Sequence, residues 1–212
     1  MNIEIINKRT IADLVRAVKD VPLLGDKNVK PYRDASVSLM RFSPEEVNPT
    51  TFYVLKKGIE FQRELREAML AQHGIDTLEL SYWLEISVNG GAPWGLTPPV
   101  VELTHRKVHY VAEDGGVDKR GAFEIKIPII NDGAHRVWLA REEKMWFAGL
   151  YISGADANHP FYAHPNNWSD VKEVDEVPKE KHLKKLYVKD DCYSLYRDFG
   201  VLGCGAPRGT SV

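Results

Sequence analysis

The stretch PIINDGAHRVWLAREE, residues 128–143, decides how the rest of the chain is read. Ile125, Ile127 and Ile129, joined by Ile130, make an apolar strand-like run that stops at Asp132-Gly133. A helix then begins at Ala134-His135-Arg136. Helix starts favour acidic side chains, because the unpaired N–H groups there carry partial positive charge. Asp132 and Gly133 suit the cap, but the first turn holds a histidine and an arginine. That arrangement is favourable when an anion shares the site. The free amides of a first helical turn point outward, and a glycine beside them lets a ligand approach the main chain. The stretch therefore reads as a phosphate site, with Gly133, Ala134, His135 and Arg136 as its binding residues.

The bulk composition is compatible with this. The 212 residues, 43% hydrophobic and 27% charged, are enough for one sizeable folded domain and exclude a disordered chain. The formal net charge is −2 and the isoelectric point about 6.4, so a protein dedicated to gripping DNA backbone is disfavoured. Cys192 and Cys204 have no metal-type pairing and do not make a disulfide framework. The opening MNIEIINKRT lacks a signal-like apolar core, and no apolar run approaches the ~18 residues of a membrane span. A cytoplasmic protein without a membrane partner is expected.

Working outward, Thr10 caps an amphipathic helix over 11–18, and 35–42 alternates as a short strand. Residues 51–72 read as a long helix ending at His73-Gly74, and 77–88 as a strand of period two. A short strand over 100–103 precedes a hairpin over 107–130 with EDGG (113–116) at its tip. The helix of the opening motif covers about 134–146, and a strand follows over 147–152. Beyond Ser153 the chain is irregular, with a short helix around 190–198. The expected fold class is α/β in the mixed α+β sense: a small mixed sheet flanked by helices. Residues 1–152 form the domain, and 153–212 form an irregular C-terminal extension packed on it.

At this point the sequence resembles a family. NDGAHRVWLAREE is similar to the Asp-Gly-X-His-Arg turn of the ParB/sulfiredoxin-like superfamily, and closest in pattern to its free serine kinase branch. RFSPEEV (41–47) lies where those kinases carry a Pro-X-Glu turn, and PPVV (98–101) resembles the strand before the motif. The similarity spans roughly residues 36–152, with TLELSYWLEISVNGG as an insertion.

The resemblance implies nucleotide binding, with ATP or ADP as cofactor (CTP as an alternative) together with Mg²⁺. Phosphates would sit on Gly133, His135 and Arg136. Glu46, at the Pro-X-Glu glutamate, would act as base toward a substrate hydroxyl; Asp132 would hold Mg²⁺ or orient His135. Phosphoryl transfer by an enzyme, a kinase or nucleotide hydrolase with a small-molecule substrate, is the leading expectation. Two departures narrow it. Ala134 replaces the cysteine that sulfiredoxin needs, which argues against sulfinic acid repair. The partition branch carries Glu-Arg-Arg after the glycine and a helix-turn-helix domain downstream. Residues 153–212 do not supply one, so a nucleotide-dependent DNA-binding or partition role is the alternative.

Other constellations are weaker. GAFEIKIPI offers Glu124-X-Lys126, half of a metal-dependent nuclease motif, with Asp114 or Asp118 upstream. Period two turns Phe123, Ile125 and Ile127 inward and leaves Glu124 and Lys126 on a solvated face. NHPFYAHPNNW (158–168) brings His159 and His164 together without a third metal ligand, so packing is expected there. His105 and His109 share one strand face and receive no role. The tail LYRDFGVLGCGAPRGTSV, with Arg197 and Arg208, is a candidate lid or a fraying end.

Overall fold

Period-two apolar residues put much of the chain into sheets, and three α-helices among the described residues pack around them. The computed structural model describes residues 1–111 and 116–203. β1 (Ile3–Arg9) is followed by α1 (Ile11–Lys19), β2 (Ser36–Phe42), β3 (Tyr53–Leu55), α2 (Lys56–His73), β4 (Trp83–Val88) and β5 (Trp94–Leu96). β6 (Val100–Val111) and β7 (Val117–Asp132) form a long hairpin. α3 (Ala134–Glu142), β8 (Phe147–Ser153) and β9 (Lys172–Val174) complete the regular elements, joined in places by short 3₁₀ turns.

The main sheet has the order β2-β8-β6-β7 and is mixed: β8 runs parallel to β6, while the outer pairs are antiparallel. A second, antiparallel sheet has the order β1-β4-β5, and β3 pairs in parallel with β9. The fold is thus mixed α+β, a mixed sheet flanked by helices. Ile130, Val137, Leu139 and Phe147 place α3 against the main sheet, while Leu14, Val18, Leu150 and Ile152 seat α1 on it.

Local sequence explains the helix ends. Thr10 and Asp13 form a reciprocal capping box at α1, with Asp13 N–H donating to Thr10 Oγ1 and Thr10 N–H to the Asp13 carboxylate. Gly74, in the left-handed region at φ 66°, closes α2 as its position after His73 predicts.

Several boundaries differ from the sequence reading. The helix expected over 51–72 starts only at Lys56, because Tyr53–Leu55 are drawn into pairing with β9. Phe52 and Leu55 also fit helical spacing, so periodicity alone extends the helix too far. The strand expected over 77–88 begins at Trp83: Asp76 accepts the Leu78 amide and bends the chain first. Leu78 and Leu80 are buried all the same. β6 and β7 are longer than expected, and the short helix expected near 190–198 is instead two 3₁₀ turns, Tyr193–Leu195 and Phe199–Leu202. β1, β5 and β9 were not anticipated. Most of the EDGG tip and the tail from residue 204, with Cys204 and Arg208, lie outside the described residues.

Beyond β8 the chain folds back over the sheet. Trp168 is buried beside Trp138 and donates its indole N–H to the carbonyls of Pro44 and Val47. Phe161, Tyr162, Ala163, Cys192 and Leu195 form a further apolar cluster against Ile129.

Candidate functional site

The cavity of interest, of about 360 Å³, opens at the junction of β7 and α3. Its floor is Ile130 to Arg136, the segment singled out from the sequence. Gly133 is the N-cap of α3 at φ 85°, in the left-handed region, and no side chain caps the helix there. A Cβ on Gly133 would lie 2.9 Å from Pro99 Cβ and 3.0 Å from Pro99 Cα. Glycine is required twice over, by backbone angle and by space. The Arg136 and Val137 amides donate to the Gly133 carbonyl, whereas those of Ala134 and His135 precede any intrahelical acceptor. These two amides stand at the cavity with the helix dipole behind them.

The two basic side chains are engaged differently from the sequence expectation. His135 Nε2 accepts the Leu55 amide at 3.1 Å, which makes the ring a part-buried acceptor and places its proton on Nδ1. Burial holds its pKa below the usual histidine value, with Asp132 pulling weakly the other way. The ring rests on Gly58: a Cβ there would come within 2.6 Å of His135 Cδ2. Arg136 is buried at 6% exposure and donates Nη1 to the Thr97 carbonyl, bracing the loop after β5 against α3. The sequence reading makes both side chains donors to a phosphate. The structure has a neutral imidazole and a guanidinium set into the wall.

Asp132 also lines the cavity, and it is the one carboxylate of that lining among the described residues. Glu46 does not line it. Its carboxylate accepts the Ser43 amide at 2.7 Å in a capping box of the 3₁₀ turn Pro44–Glu46. Neighbouring Glu45 pairs with Arg141, near the far end of α3. The sequence-derived pair of Glu46 and the phosphate turn is therefore not brought together.

Three contributions to the site had no local signal in the sequence. Phe61 on α2 and Trp94 on β5 face each other at 6.2 Å between ring centroids and line one wall. Gln62, also on that wall, has a buried side-chain oxygen with no hydrogen-bond donor among the described residues. Lys185, on the irregular segment after β9, enters from the other side and donates to Thr50 Oγ1 at 3.2 Å. Burial lowers its pKa to about 8.

Behind the turn lies a buried polar network. Asn131, at the cavity, donates its amide to Glu102 Oε2 at 2.8 Å and to Tyr32 Oη. Tyr32 donates to the same carboxylate at 2.6 Å, and Arg197 Nη2 meets Glu102 Oε1 at 3.1 Å. Arg197 also donates to the carbonyls of His159, Pro160 and Leu195. Burial pushes the Tyr32 hydroxyl well up, so it stays a donor. The network ties Arg197 to Asn131, the residue just before Asp132, through Glu102.

A family model for the ParB CE domain matches residues 13–172. The chain belongs to the ParB CE domain family. The match takes in the Asp132-Gly133 turn, α2, β5 and the whole main sheet, and it ends before Lys185 and Arg197. No curated protein and no solved structure matches this ParB CE domain chain.

The remaining candidates lie elsewhere. Glu124 and Lys126 are exposed on β7, Asp114 lies outside the described residues, and Phe123 points outward against Tyr110 rather than inward. Phe123 lies on the distal part of the β6–β7 hairpin, beyond the Val100–Glu102 stretch that pairs with β8. His159 binds Asp156 at 2.8 Å, and the His164 amide donates to Leu186, so the aromatic loop packs. Among the described residues, no group of three or more His, Cys, Asp or Glu is placed to hold a metal ion. No helix among them is long and apolar enough to cross a membrane.

Proposed function

We propose that this ParB CE domain binds a nucleotide in the cavity at the head of α3 and transfers a phosphoryl group to a hydroxyl substrate. One observation carries the reading: a single cavity has an uncapped helix start on one wall and an aromatic pair on another. The Ala134 and His135 amides and the αL bend at Gly133 suit phosphate oxygens. The Phe61–Trp94 wall suits a flat base, and the donorless oxygen of Gln62 suits an exocyclic amine. The volume is within the usual range for small-ligand sites.

The chemistry asked of the protein is mainly positioning and charge stabilisation. Asp132 takes over as the base in this reading, since Glu46 is occupied at Ser43: its carboxylate accepts the substrate hydroxyl's proton as that oxygen bonds to the outer phosphorus, and the nucleotide leaves with one phosphate fewer. Mg²⁺ is commonly held by one or two carboxylates with the substrate phosphates, and Asp132 fits that pattern. A metal ion there would offset phosphate charge. His135, neutral at pH 7, offers Nδ1–H as a donor without adding charge.

The reading is tested by isothermal titration with ATP, ADP and CTP at matched Mg²⁺, followed by ³¹P NMR for turnover. Saturable binding that Asp132→Asn leaves within a few-fold, with turnover abolished, supports an enzyme. Binding without turnover by the wild type favours a nucleotide switch. Absence of binding by all three nucleotides contradicts the proposal.

A further inference from the structure

Lys185 is the one cationic side chain of the cavity that comes from outside the family-matched region. Its segment is strapped down on both sides. The Lys184 carbonyl accepts from the Phe52 amide at 3.0 Å and from Thr51 Oγ1 at 3.2 Å. The Leu186 carbonyl accepts from the His164 amide at 2.7 Å, and the Val188 amide donates to the Tyr162 carbonyl. Lys185 is therefore held in a fixed direction, into the cavity.

Its surroundings are unusual for a lysine. Nζ touches Thr50 Oγ1 and lies 5.1 Å from the centre of the Tyr162 ring. No carboxylate lies within 4 Å of it among the described residues, although surface lysines such as Lys27, Lys30 and Lys56 all find one. Thr50 turns its own hydroxyl proton to the Ile130 carbonyl, two residues before Asp132, which leaves its oxygen free to accept from the lysine. An ammonium taken from water without a counter-charge is unfavourable, and proteins rarely keep one unless something else supplies the negative charge. The nearest acid on the cavity wall, Asp132, is not in contact with it.

We propose that Lys185 is the counter-charge for the outer phosphate of the bound nucleotide, one phosphate beyond the group held at the start of α3. This rests on the nucleotide reading of the cavity and deepens it: the site is completed by the C-terminal extension, and it selects ligands by phosphate number. The α3 amides take the phosphate nearest the turn. Lys185, on the Thr50 side, meets the next one. A neutral nucleoside makes neither contact, and a monophosphate makes only the first.

The test is isothermal titration of the full chain with adenosine, AMP and ADP, comparing wild type, Lys185→Met and Lys185→Arg. The wild type should bind ADP more tightly than AMP. Lys185→Met should weaken ADP by ~10- to 100-fold, the range for one hydrogen bond to a charged group. Its affinity for AMP and adenosine should stay within about twofold, a split that general damage to the fold does not produce. Lys185→Arg keeps the charge and should retain a preference for ADP over AMP. If Lys185→Met does not fold, Lys185→Gln carries the same prediction. ADP binding equally strong in wild type and Lys185→Met overturns this inference and leaves the nucleotide reading standing. Failure of all three ligands to bind the wild type overturns both.

Discussion

The Leu55 amide donates to His135 Nε2 at 3.1 Å, joining two residues eighty positions apart. This bond sets the head of α3 against the start of α2 and decides which face of the imidazole meets the cavity. It also makes protonation of His135 incompatible with the folded arrangement, since a charged ring cannot accept. The histidine is a positioned hydrogen-bond partner.

A pH dependence follows. The folded pKa of His135 is depressed by burial, so the unfolded state binds the extra proton first. Stability is full above the unfolded value near 6.5 and falls as pH drops below it. Urea unfolding between pH 5 and 7.5 should show this loss, and it should shrink in His135→Gln, whose amide oxygen can still accept from Leu55. An unchanged acid slope in the variant contradicts this role.

Gly58 and Gly133 are predicted to be intolerant of alanine for different reasons. Gly58→Ala forces Cβ into the His135 ring and should shift that ring, with a loss of about 1–3 kcal/mol. Gly133→Ala meets both a left-handed φ and the Pro99 side chain, and should be at least as damaging. Denaturant midpoints of the two variants measure both effects.

Breaking the Glu102–Arg197 pair should be costly, because both side chains are almost wholly buried, at 2% and 1% exposure. Arg197→Met leaves the Glu102 carboxylate with Tyr32 and Asn131 as its donors among the described residues, and a loss of ~3–5 kcal/mol is expected. Because Asn131 shares that carboxylate, nucleotide affinity should fall too. Loss of stability without loss of affinity would separate the network from the site.

Lys185 predicts the opposite sign. Its folded pKa of about 8 lies below the ordinary 10.5, so folding disfavours the charged form. Stability of the ligand-free protein should rise as pH increases from about 8 to about 10.5 and stay lower beneath that window. Lys185→Met should remove the rise and stabilise the ligand-free protein at pH 7, by about 3 kcal/mol. Thermal unfolding at pH 7 and pH 10 reads both quantities. A destabilised variant at pH 7 contradicts the account.

How much of this was legible in the sequence depends on whether a signal is local. The Asp132-Gly133 turn, the strand before it and the helix after it were readable, because each rests on neighbouring residues. So were α1 with its Thr10 box and the end of α2 at Gly74. The start of α2 was misplaced because Tyr53–Leu55 are held by a strand more than a hundred residues away. Phe61, Trp94 and Lys185 reach the cavity from three distant elements, and no spacing in the chain announces their meeting. His135 and Arg136 stand in the first turn of α3 as the sequence reads, yet their side-chain directions are set by Leu55 and Thr97. A guanidinium at a helix start reads as a phosphate donor until the tertiary carbonyl that claims it is known.

The central claim is that the first turn of α3 receives a phosphate group. ¹⁵N-resolved NMR of the labelled protein, titrated with ADP and with inorganic pyrophosphate, tests it at the atoms concerned. The account predicts the largest amide shifts at Gly133, Ala134 and His135 with both ligands, and further shifts at Phe61 and the Trp94 indole with ADP alone. Amide signals at Gly133–His135 that stay fixed while ADP binds elsewhere would contradict it.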